Sequence, residues 1–208
     1  MPRSSSSSRW LHRHVTDSYV RRARARGYRS RAAYKLLEID RRERLLAPGA
    51  RVVDLGAAPG GWAQVAAARV GREGRVVAVD LLGIAPISGV TVLRGDFMTE
   101  AVRDDVRAAL GGRRADVVLS DLSPNLSGIA TTDQARAAEL VRAAAAFCRS
   151  ALDPAAGRFL CKLFQGAEFA GLLAELRRDF ERVRVLKPAA SRSESRETYL
   201  LASGATSS

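Results

Sequence analysis

Short apolar runs alternate along this chain with longer stretches in which apolar residues recur every three or four positions. The short runs are RVVDL at 51–55, RVVAVD at 75–80, VTVLRGD at 90–96, ADVVLSD at 115–121, RFLCKLF at 158–164, RVRVLK at 182–187 and TYLLAS at 198–203. Each is strand-length and bounded by polar or turn-forming residues, which predicts seven strands. Between them, 61–70, 99–110, 132–152 and 167–180 carry the helical period, with Thr99 and Thr132 as expected N-caps. Upstream, Ser30 precedes Ala32, Ala33, Leu36, Leu37, Ile39 and Leu45 at helical spacing, and Pro48-Gly49 closes the pattern, predicting a helix over 30–46.

Repeated strand and helix alternation argues for an α/β architecture, a parallel sheet with helices on both faces. The segment 188–196 is too short for a crossover helix, so the last two strands are expected to pair as an antiparallel hairpin at one end of the sheet. The predicted sheet is therefore seven-stranded and mostly parallel, with one antiparallel end strand. The chain has 208 residues, 47% of them hydrophobic, enough for one sizeable core and short for two. One domain over 13–208 is expected, opening with basic helices at about 16–46 and preceded by a disordered Ser-rich tail at 1–12. No apolar run approaches the ~18 residues of a membrane span, and the N-terminus lacks a hydrophobic signal stretch. A cytoplasmic protein is expected.

Charge adds a partner. Lys and Arg number 34 against 22 Asp and Glu, a formal charge of +12, which draws a molecule to polyanions. The excess is concentrated: Arg21, Arg22, Arg24, Arg26, Arg29, Arg31 and Lys35 follow one another almost without acidic residues. Tyr19, Tyr28 and Tyr34 interleave with them, as base-stacking surfaces or as the residues that seat these helices on the sheet. Cys148 and Cys161 lie in apolar contexts and read as buried reduced thiols. His12 and His14 are the only histidines and cannot complete a metal site by themselves, so no metal is expected.

The loop DLGAAPGGW at 54–62 follows the first strand and runs into a helix, where open α/β sheets bind nucleotide-like ligands. Gly56, Gly60 and Gly61 let main chain pass close to a ligand. The spacing is not the G-x-G-x-x-G of a pyrophosphate site, which argues against a dinucleotide-dependent oxidoreductase. Asp80, ending the second strand, stands where such folds bond ribose hydroxyls, and Asp96 in RGDF offers a second carboxylate suited to an adenine amino group. For each alone, a turn cap is an alternative reading. Together they suit a ligand with ribose and adenine but no pyrophosphate. Lys162 also demands a reason, since it stands among Leu160, Cys161, Leu163 and Phe164.

With these motifs in view, the chain resembles the FtsJ-type ribose 2′-O-methyltransferases. The resemblance runs from SSRWLHRH to the last strand, through SRAAYKLLEID at 30–40, DLGAAPGGW, AVDLLGI at 78–84, GDF at 95–97, SDLSPNLSG at 120–128, KLFQG at 162–166 and SRSESRETYLLA at 191–202. It implies a Rossmann-like class I fold and a catalytic set of Lys35, Asp121, Lys162 and Glu197. It also implies S-adenosylmethionine held by Gly60, Trp62, Asp80, Asp96 and Asp121. The bacterial members closest to this sequence imply as substrate a uridine of 23S ribosomal RNA, methylated in the 50S subunit by a monomer. Transfer RNA or another RNA, such as an RNA cap, is the alternative acceptor, and a non-catalytic RNA-binding protein on a relic cofactor fold is the alternative of another class. Leu122, Ser123 and Cys161 depart from the residues usual in bacterial members, none at a charged position.

Methyl transfer to a ribose hydroxyl requires the oxygen to be aligned with the methyl carbon and its proton to be managed; alignment alone is worth as much as ~7–11 kcal/mol. Lys162 is the expected proton acceptor. Desolvation, Lys35 and the sulfonium favour its neutral form, whereas Asp121 and Glu197 oppose it. If the carboxylates dominate, a cationic Lys162 orients the hydroxyl and stabilises developing negative charge instead.

Overall fold

A computed structural model describes residues 18–124, 127–191 and 195–206. The Ser-rich tail expected over 1–12, together with His12 and His14, lies outside the described residues. Two helices come first, α1 (Ser18–Ala25) and α2 (Ala32–Glu43). Then follow β1 (Arg51–Leu55), α3 (Gly61–Val70), β2 (Arg75–Asp80) and β3 (Val90–Arg94). After these come α4 (Glu100–Ala109), β4 (Val117–Ser120), α5 (Ala130–Ala151) and β5 (Arg158–Phe164). The last elements are α6 (Phe169–Asp179), β6 (Phe180–Leu186) and β7 (Glu197–Ala205).

The strands form one sheet in the order β3-β2-β1-β4-β5-β7-β6. β1 to β5 run parallel, and β7 runs antiparallel to both β5 and β6. The reversed strand therefore belongs to the end hairpin, as expected, but it fills the gap beside β5 and leaves β6 at the edge. Central strands β1 and β4 are buried almost throughout, whereas edge strand β6 exposes most of its length. That contrast explains why the former read as continuous apolar runs and the latter as mixed.

Alternation with period two divides the core. Val53, Val77, Val118, Phe159, Cys161 and Leu200 point towards α4, α5 and α6. Val52, Val76, Leu119, Leu160, Tyr199 and Leu201 point to the opposite face, against α2 and α3.

Several boundaries differ from those expected, each for a local reason. α2 stops at Glu43 rather than 46 because Arg44 turns left-handed, φ 49°, and donates its amide to Asp40 O. Leu45 is still buried because the chain folds back: Asp40 Oδ1 accepts the Leu46 amide at 2.8 Å. Arg158 meanwhile caps the carbonyls of Glu43, Arg44 and Leu45. Thr132 does not cap α5, which starts two residues earlier; instead Asp133 accepts from the Ser127 amide and hydroxyl, each at 2.7 Å. Thr99 occupies the N-cap position of α4, but its hydroxyl donates to Asp96 O. No helix among the described residues is long and apolar enough to cross a membrane.

Candidate active site

The alternation that sorts the core also gathers the chemistry. In β5, Lys162 is two residues beyond Leu160 and so shares its face, the one covered by α2 and α3. In the antiparallel register Lys162 lies opposite Tyr199 and Phe164 opposite Glu197, which puts all four on that face. Asp121 follows Leu119 by two at the carboxyl end of β4, and α2 lowers Lys35 onto the same place. Four charged residues from four elements thus meet above one sheet edge.

They are bonded in a chain. Lys162 Nζ lies 2.7 Å from the Asp121 carbonyl oxygen and 3.1 Å from its Oδ1. Lys35 Nζ bridges both carboxylate oxygens of Glu197, at 2.7 and 2.8 Å. The Tyr199 hydroxyl joins the pairs, 3.0 Å from Asp121 Oδ1 and 3.2 Å from Glu197 Oε1. It has one proton, so it donates to one of them at a time. Ser191 Oγ donates to Glu197 Oε1 at 3.0 Å.

The charged side chains are 7% to 19% exposed, so these ion pairs are shielded from the solvent that weakens surface pairs. Burial disfavours the Glu197 carboxylate, yet Lys35, with Lys162 and Ser191, outweighs it and holds this carboxyl below its usual range. Burial and then the carboxylates of Asp121 and Glu197 push the Tyr199 phenol far up, so it stays a donor.

Next to this network two cavities meet at Gly56, Ala58 and Asp121. The larger, about 570 Å³, is bordered by Asp80, Asp96, Leu82 and Met98, within the ~300–1,000 Å³ range of ligand sites. Asp80 shapes it: its two oxygens accept the Ala58 and Leu82 amides at 2.9 and 2.8 Å, fixing the loops on either side. Asp96 accepts the Met98 amide through Oδ1, and its other oxygen has no partner among the described residues.

The smaller cavity, about 140 Å³, lies between Ser30, Asp54, Gly61 and Trp62. Gly60 stands at the N-cap of α3 with φ 108°, a backbone that strains any L side chain. A Cβ there would also lie 2.5 Å from Ile87 Cδ1. Trp62 turns its indole into the core, 3% exposed, donating to Ala32 O at 2.8 Å and tilted against Tyr199 at 5.7 Å. What it presents to the cavity is therefore mainly its place in the first turn of α3.

Asp54 is the anomaly. Its carboxylate is 1% exposed, and neither oxygen has a hydrogen-bond partner of normal geometry. Burial and then the carboxylates of Asp121 and Asp80 push its pKa well up, which the Ala63 amide only weakly offsets. A buried carboxylate so placed beside an open cavity suits a cationic ligand group.

The structure thus brings Lys35, Asp121, Lys162 and Glu197 into one network and puts Gly60, Trp62, Asp80 and Asp96 around the adjoining cavities. Sequence reasoning assigned no role to Asp54, Tyr199 or Ser191. Asp54 had a signal, a carboxylate inside the buried run RVVDL; Tyr199 and Ser191 read as ordinary core and loop. Among the described residues no group of three or more His, Cys, Asp or Glu is arranged to hold a metal. Cys148 and Cys161 are free and buried, and burial raises both thiols.

Comparison with known proteins bears on this site. A sequence model described as FtsJ-like methyltransferase matches residues 28–205. The chain is 53% identical over 201 residues to a ribosomal RNA large subunit methyltransferase E of Azoarcus sp. (strain BH72), covering 97% of this chain and 98% of that protein. It is 50% identical over 204 residues to the methyltransferase of the same name from Marinobacter nauticus, covering 98% of each. Among solved structures, a Plasmodium falciparum protein described as a ribosomal RNA methyltransferase superposes with a TM-score of 0.77 at 27% identity. That match covers 86% of this chain and 98% of the other.

Proposed function

The chain belongs to the FtsJ-like methyltransferase family, and from that membership we propose that it methylates the ribose 2′-hydroxyl of a uridine in 23S ribosomal RNA. S-adenosylmethionine, when bound, supplies an electrophilic methyl group on a sulfonium. The donor set fits that molecule. Asp80 and Asp96 suit the ribose hydroxyls and adenine amino group; the turn at Gly60 and Trp62 and the unpartnered Asp54 suit the charged amino-acid end. Asp121 borders both cavities and bonds Lys162, and so stands between cofactor and acceptor. We take the enzyme to act in the cytoplasm on the large ribosomal subunit, as a monomer without a metal; the relatives' names support the ribosomal part of this reading.

The observation that carries the reading is the position of Lys162. Nζ has three positions not bonded to carbon, and Asp121 takes up two of them through its carbonyl and carboxylate oxygens. One is left for the substrate hydroxyl. As a lone pair it removes the proton, the role assigned here; as an N–H it would orient the oxygen and stabilise its developing charge. Lys35 and Glu197 neutralise each other beside it, and the Tyr199 hydroxyl stands between the two carboxylates, donating to one of them at a time.

The test is transfer of labelled methyl from S-adenosylmethionine to large ribosomal subunits, free 23S ribosomal RNA and transfer RNA in parallel, followed by nucleoside analysis. Label is expected in 2′-O-methyluridine of 23S ribosomal RNA. The Lys162→Ala enzyme should lose about 10²–10⁴ in kcat, the usual worth of a general base, while still binding the cofactor. Label found only on transfer RNA would overturn the substrate, and full activity of Lys162→Ala would overturn the catalytic assignment.

A further inference from the structure

A groove of about 660 Å³ opens on the far side of the cofactor loop, between the turn after α1, the end of α3 and the segment 86–89. No carboxylate borders it, while Arg26, Arg29 and Arg72 do. Arg29 is already committed: its guanidinium donates to the carbonyls of Pro59, Ala85 and Pro86 at 3.2, 2.7 and 2.7 Å. Its amide donates to Gln64 Oε1 and Gln64 Nε2 donates to Gly27 O, both at 2.9 Å. These bonds fasten the groove's three walls together and to the cofactor loop at Pro59. Arg26 and Arg72, both exposed, have no side-chain partner among the described residues.

We propose that this groove holds the sugar-phosphate backbone of the RNA strand next to the target nucleotide, an inference that rests on the RNA-methyltransferase reading above. The chemistry favours phosphate. Two unpaired guanidiniums from separate walls provide full positive charges, against about half a negative charge at the carboxyl end of α3. Gly27 and Gly71 have nothing within 4 Å of where a Cβ would stand, so the floor is open to close approach of a chain. Tyr28, whose ring meets Tyr34 edge-on at 5.8 Å, adds aromatic surface on which a base can lie. Through Pro59, which Arg29 binds, the groove adjoins the smaller cavity that Asp121 also borders.

The test measures methylation of isolated large subunits by wild type, an Arg26→Glu/Arg72→Glu double variant and Ala68→Trp, which fills the groove from α3 without changing charge. Both variants should raise KM for subunits tenfold or more and leave kcat and cofactor affinity within about twofold. In the double variant the slope of log KM against log salt should also fall by about 1.4, at ~0.7 for each single-strand phosphate that is no longer neutralised. A photocrosslinking residue at position 88 should label RNA. Unchanged KM in both variants, or a crosslink to ribosomal protein alone, would overturn the groove assignment. A wild-type enzyme that methylates no RNA would instead overturn the reading on which it rests.

Discussion

Asp54 is the residue whose chemistry is most exposed to test. Its folded-state pKa lies above the ~3.9 of an unfolded aspartate, because burial and two neighbouring carboxylates disfavour its charge. The folded, ligand-free protein therefore holds a proton that the unfolded chain gives up, and it loses stability as pH rises from about 4 through the elevated range. A cationic ligand group reverses the preference and expels the proton. Affinity for S-adenosylmethionine should accordingly rise with pH across that window, with proton release visible in calorimetry in buffers of different ionisation enthalpy. Asp54→Asn should stabilise the free protein at neutral pH, weaken cofactor binding and flatten its pH dependence; binding as tight as wild type would remove Asp54 from the site. Glu197 is the opposite case, since Lys35 depresses its pKa; what it contributes is present at neutral pH and lost on acidification.

At the scale of elements, α2 matters because it carries Lys35, and its far end is held by a buried carboxylate. Asp40, 6% exposed, accepts the Leu46 amide and pairs with Arg69 Nε at 3.0 Å. Asp40→Ala leaves a buried amide without a partner, a loss of about 1–3 kcal/mol, to which the half-exposed Arg69 adds little. Urea unfolding should show a lower midpoint with an unchanged slope, while kcat below the transition stays within a few-fold, because Lys35 is anchored separately by Glu197. The helix itself was legible in the spacing of Ala33, Leu36 and Ile39. Its end was not, because Leu45 continues the apolar spacing although the chain has already turned, and the bonds that turn it come from Asp40 and from Arg158, 113 residues from Leu45. Thr132 failed as a cap for a similar reason: Asp133, one residue on, binds the preceding loop more completely.

For the whole molecule, the charge of +12 predicts that RNA affinity falls steeply between ~50 and ~200 mM salt, whereas cofactor affinity barely changes. Anisotropy with labelled RNA beside calorimetry with S-adenosylmethionine would separate the two, and equal salt sensitivity would contradict it. The short apolar runs determined seven strands, and the short segment 188–196 determined that the last two pair antiparallel, because both are properties of local chain geometry. The glycine loop and its neighbouring aspartates were legible too, since strand ends in a parallel sheet share an edge. Only the tertiary structure decided that β7 enters between β5 and β6, because hydrogen bonding of a strand's two edges depends on which neighbours are present. That insertion sets Tyr199 opposite Lys162 and brings Glu197 within reach of Lys35, 162 residues away in sequence. The sequence singled out Lys35, Asp121, Lys162 and Glu197 as candidates for the chemistry; their contact, and the burial that strengthens it, required the sheet to be assembled.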